Sequence, residues 1–309
     1  MPVRIPLITD PAPRVLLDGL VDYAGLFPPA SLSMTEAVRN FARYRGGEAG
    51  WMLGRFVCAV AHFDAFIAAA EPLLPRDAGA LPWRLAVVGT GDHEADAVAI
   101  ARMNECHRWS IDECSAVVDT LETRVASPEE VSRVHEAFPA DLTVYVELPA
   151  GVDPVPFMQR IANTGRRAKL RTGGVMPEAF PSAEQVFTFI DACIASHVPF
   201  KATAGLHHAL QGTYPLTYEP QSAAAPMFGF LNLVLAAALR AAEGSREQVL
   251  QLLRESDAAS IAFSEEAVAW RGHVLHRTHL ARVREEIAVS FGSCSFTEPV
   301  ADVRAMGAW

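Results

Sequence analysis

The chain has 309 residues, half of them hydrophobic and a fifth charged, which suits a folded globular protein with one large core. A formal net charge of −10, with no run of basic residues, argues against a surface built to hold nucleic acid. Cys58, Cys106, Cys114, Cys193 and Cys294 are odd in number and never spaced as Cys-x-x-Cys, so they read as reduced thiols of a cytoplasmic protein, not a disulfide frame or zinc knuckle.

Asp10-Pro11 is a helix start, and residues 1–19 are predicted to cap the bottom of the domain. A strand at 20–27 carries Asp22 and Tyr23, and Ser33-Met-Thr-Glu36 is a capping box opening a helix over 37–44. A strand at 54–60, a helix from 62 to 70, a strand at 84–89 and a helix capped by Asp92 follow. Strands at 116–125 and 142–148 carry Glu122 and Glu147, with a helix between them opened by Ser127-Pro128. A helix at 154–163 leads to the strand 167–171 and the turn Thr172-Gly173-Gly174. Ser182 caps the next helix, and the strand from 198 holds Lys201 and Thr203 before Gly205 ends it at Leu206-His207-His208. Residues 207–224 read as a long loop, more often functional than incidental. The apolar run 228–242 is too short to span a bilayer and contains Asn232 and Arg240, so no membrane partner is expected. The last strand is predicted at 260–264, the last helix at 278–289, and residues 290–309 as an extra C-terminal helical tail. His273, His276 and His279 read as a solvated face.

Eight strands alternating with helices, with no linker between them, predict a single-domain α/β protein over residues 1–309, a (β/α)8 barrel of the TIM type. No Gly-x-Gly-x-x-Gly follows the first strand, which argues against a dinucleotide-binding sheet.

In such a barrel the side chains at the C-terminal ends of strands converge on one pocket. That rule gathers Lys201, Lys169, Glu147, His207 and His208 as candidate catalytic groups, with Arg171, Thr172, Gly173, Gly174, Thr203, Asp22 and Glu122 as candidate substrate contacts. Arg171 offers a planar fork for a carboxylate or phosphate, and the diglycine offers backbone N–H groups to the same anion. A neighbouring Lys169 and apolar surroundings are expected to depress the pKa of Lys201 and free its amine for attack on a carbonyl.

Lys201-Ala-Thr-Ala-Gly205 resembles the Lys-Thr-x-Thr-Gly strand of class I aldolases of the deoxyribose-phosphate type, and Lys169-Leu-Arg-Thr-Gly-Gly174 is similar to their Lys-x-x-Gly-Gly strand, here in reversed order. The resemblance implies a Schiff-base lyase needing no cofactor, with Lys201 as the imine lysine and Lys169 tuning it. Two other readings stand beside it. Glu147, His207 and His208 could ligate zinc or manganese in a metal-dependent lyase, isomerase or hydrolase, or the barrel could bind a small anion without turning it over. A homo-oligomer is compatible with each. Cys294, set between serines in Phe291-Gly-Ser-Cys-Ser-Phe296, is expected on the face opposite the pocket and is read as packing.

Overall fold

Eight parallel strands close into a barrel: β1 (Val21–Tyr23), β2 (Leu53–Ala59), β3 (Trp83–Val88), β4 (Ala116–Arg124), β5 (Thr143–Glu147), β6 (Arg167–Arg171), β7 (Phe200–Thr203) and β8 (Ala288–Ser293), with β8 pairing both β7 and β1. This computed structural model describes residues 9–77, 79–107 and 115–309; Cys114 and the first eight residues of the predicted cap lie outside the described residues. The expected α/β TIM-type barrel is the observed fold. Capping boxes at Ser33–Glu36 and Ser182–Gln185 start their helices as predicted, another at Ser245–Gln248 opens the helix Arg246–Leu253, and Asp92 accepts from the Ala95 N–H. Asp10 does not cap the helix Ala12–Leu17, which instead ties into the fold where the Ala12 N–H donates to the Glu265 carbonyl.

The eighth strand is the main correction. Ile261–Phe263 is not in the barrel; it opens a separate antiparallel sheet with Ala267–Trp270 and His273–His276. The helix Arg277–Glu286 stops short of its predicted end, and the supposed tail supplies β8 and the helix Thr297–Ala305. Phe291–Phe296 therefore ends a barrel strand and leads into the pocket face, the reverse of the expected placement. The long loop after β7 contains a hairpin, Gly212–Pro215 with Ala224–Met227. The apolar helix Phe230–Ala241 is buried on nearly every side, which is why its sequence lacks a polar face. Among the described residues no helix is long and apolar enough to cross a membrane.

Strand alternation separates two environments. Val21, Tyr23, Phe56, Cys58, Leu85, Val87, Val144, Val146, Phe200 and Ala202 join the main core under the helices. The alternate positions point into the barrel, and most of them on β4–β7 are charged.

Candidate functional site at the barrel mouth

A chain of alternating charges fills the barrel. Arg84 and Arg55 both pair with Asp119, and the Arg55 side chain lies 3.9 Å from Asp22. Asp22 holds the Lys201 ammonium at 2.6 Å, and Glu122 holds it from the other side at 2.5 Å. Glu122 also meets Lys169 at 2.7 Å, and Lys169 meets Glu147 at 2.7 Å. Glu147 then receives Arg171 at 2.9 Å and Arg124 at 3.1 Å. The arginine ends of the chain lie at the rim, where the Arg171 and Arg124 side chains are 39% and 72% exposed. Lys169 and Lys201 lie in register on adjacent strands, as do Glu147 and Lys169.

These contacts set the protonation states. Burial alone would drive the proton off Lys201, but Asp22 and Glu122 outweigh it and raise its pKa above the ordinary lysine value. The depression expected from Lys169 is therefore not found, because two carboxylates stand between and beside the lysines. Burial opposes the charge on Glu122 too, yet Lys169 and Lys201 bring its pKa down to about 2. Glu147 is lowered as well, with Lys169 and Arg171 overcoming burial. Ser290 donates to Asp22 at 2.9 Å and completes the floor beneath Lys201.

The predicted contacts at the ends of β6 and β7 divide. Thr203 faces inward beside Gly292, where any side chain would crowd its hydroxyl. Thr172 is buried and donates to the Ala204 carbonyl at 2.6 Å, so it clasps the two strand ends together. A Cβ on Gly173 would lie 2.6 Å from the Phe180 ring, and one on Gly205 would lie 2.9 Å from it. The diglycine thus admits Phe180 between the β6 and β7 loops, and neither Gly173 nor Gly174 has a positive φ.

The two histidines have partners other than Glu147. His208 pairs with Asp302 at 3.1 Å and stacks on Tyr214 at 3.9 Å, fastening the hairpin to the helix Thr297–Ala305; the hydrogen bond to Asp302 raises its pKa. His207 Nδ1 lies 3.6 Å from Cys294 Sγ and 3.7 Å from Glu298, and burial lowers its pKa. Glu147, His207 and His208 thus each have different partners, and among the described residues no three His, Cys, Asp or Glu side chains are grouped to hold a metal.

Sequence reasoning missed Arg55, Arg84 and Asp119. Asp119 is an extra residue in the β3–β4 register, where Leu85 faces Val118 and Ala86 faces Thr120. This bulge lets Asp119 and Glu122, three positions apart, serve the same interior network. Opposite the charges, Ala24, Val57 and Ala86 form a small apolar cluster with Phe27 and Val88, apart from the main core. One signal was present in the composition: of 26 lysines and arginines only Lys169 and Lys201 are lysine. Two surface grooves, one beside Arg246, Arg254 and Arg271 and one beside Trp51 and Trp309, contain none of these residues.

Comparison with family models, with curated proteins and with solved structures finds no match to this chain.

Proposed function

We propose that this barrel is an enzyme for a small anionic carbonyl compound, an aldolase-like lyase that makes or breaks a carbon–carbon bond through an imine on a barrel lysine. The use of lysine carries the reading. The chain uses arginine for every other basic residue and places its only two lysines side by side in the barrel. A buried ion pair is served as well by arginine, whereas only lysine can release a proton and attack a carbonyl.

The ion pairing favours exchanging the lysine roles expected from the sequence. Lys201 is 0% exposed and its ammonium is held by two carboxylates, so it serves as a fixed positive charge. Lys169 is 5% exposed and lies toward the mouth, and its partner Glu147 is shared with two arginines. A substrate carboxylate or phosphate docking on Arg171 and Arg124 draws them from Glu147 and restores its basicity. Glu147 then accepts the Lys169 proton, the amine adds to the carbonyl carbon, and Glu147 returns the proton as water leaves. The resulting iminium accepts the electron pair of the breaking carbon–carbon bond as Glu147 takes the hydroxyl proton of the departing aldehyde; that proton then returns to the enamine carbon, and water releases the product and regenerates the lysine. Ala24, Val57 and Ala86 offer the apolar end of the substrate a wall.

Borohydride reduction in the presence of pyruvate or glyoxylate, read by intact mass, tests the reading. It predicts one reduced adduct per chain. Saturable binding of these anions with no adduct across about pH 6–10 would overturn it in favour of a binding barrel.

A further inference from the structure

Ser290 and Gly292 lie on the inward face of β8, and Cys294, one residue past the strand, is buried at the pocket end of the barrel. Its sulfur is surrounded by groups from three separate loops. His207 Nδ1 and the Tyr218 hydroxyl, both after β7, lie 3.6 and 3.9 Å away. The backbone N–H groups of Ala30, after β1, and of Cys294 itself act to lower the thiol pKa. Glu298 stands behind them, 3.7 Å from His207 Nδ1 and 3.1 Å from the Tyr218 hydroxyl. A neutral packing cysteine needs no imidazole beside it; a thiol that is to attack needs a base to take its proton.

We propose that Cys294 is a second nucleophile of the mouth, with His207 as its base, and that it takes up a small aldehyde. The sulfur bonds to the aldehyde carbon, the carbonyl π pair moves to oxygen, and His207 passes the thiol proton to that oxygen. The product is a hemithioacetal, and no oxidant or reductant is consumed. The titratable groups facing the thiol are His207, Tyr218, Glu298 and Tyr23, and those facing the imidazole are Cys294, Glu298 and His208. Burial, only partly offset by the Ala30 N–H and Tyr218, pushes the thiol up to about 11, and burial also keeps His207 below its ordinary value. The resting pair is thiol and neutral imidazole, the form from which base-assisted attack starts.

Alkylation by iodoacetamide, resolved by peptide, tests this without reference to the imine. Exposed Cys106 is the reference thiol, and labelling of core Cys58 or Cys193 reports unfolding. The wild-type rate at Cys294 should show a shoulder below about pH 6.5, where the buried imidazole loses its proton. His207→Gln should slow Cys294 by about tenfold or more at neutral pH and leave Cys106 unchanged. Glyoxylate should protect Cys294, and should still do so in Lys169→Arg, which cannot form the imine at that position. A wild-type profile that climbs without a shoulder toward the thiol pKa of about 11 overturns the proposal even if the variant fails to fold. An unchanged rate in folded His207→Gln, or no protection by glyoxylate, also overturns it.

Discussion

Lys169 and Lys201 stand opposite each other on adjacent strands, and the Glu122 carboxylate bridges them at 2.7 and 2.5 Å. Two ammonium groups this close would repel strongly in a buried space, so Glu122 makes their coexistence possible. Glu122→Gln keeps the shape and removes the charge. It should destabilise the fold by about 3–5 kcal/mol in urea denaturation, since it leaves buried charges poorly compensated. Arg124→Ala removes an arm that is 72% exposed and should cost less than about 1 kcal/mol. Equal losses from both would contradict the ranking.

The same network sets the pH range of stability. Glu122 falls from an ordinary 4.5 to about 2 in the fold, so its contribution is present above 4.5 and is lost as pH drops toward 2. The Lys201 pKa is raised from an ordinary 10.5, so its contribution is present below 10.5 and is lost as pH rises through the folded value. Thermal midpoints should form a plateau between these limits, and Glu122→Gln should flatten the acidic fall.

Most of the strands up to β7 are legible in the sequence because they are short, carry apolar residues at alternate positions and stop at glycine, proline or a helix start. β8 is not: its Ala-Val-Ser-Phe-Gly-Ser has small inward residues and follows a helix whose apolar spacing runs on into it. Asp119 is hidden because a bulge breaks the alternation that sequence reasoning assumes. Most of the charged residues are legible as a set, but their protonation is not. Lys201 meets its carboxylates across 179 and 79 residues of chain, and adjacency in sequence shows only its cationic neighbours.

Removing the Lys201 charge should change how Lys169 reacts. Lys201→Gln takes away a positive charge that favours the neutral amine at Lys169. Borohydride trapping should slow by about tenfold at neutral pH and recover in more alkaline buffer. Slowing that persists at every pH would assign Lys201 a different role.

The diglycine makes a prediction about packing. Gly173→Ala drives a methyl into the Phe180 ring and should cost about 1–3 kcal/mol. Adding Phe180→Leu should recover part of that loss in a double-mutant cycle, because both changes act on one contact. Strict additivity would show that the Phe180 contact does not explain the glycine.

The most direct measurement of the central claim is the position of the trapped adduct. The chain has only two lysines, so cleavage and mass analysis of borohydride-reduced protein with glyoxylate leaves few places to look. The account predicts a secondary amine on Lys169, absent in Lys169→Arg and needing about tenfold more glyoxylate in Arg171→Gln. An adduct confined to Lys201 or to the chain terminus, with Lys169 unmodified at every pH, would contradict it.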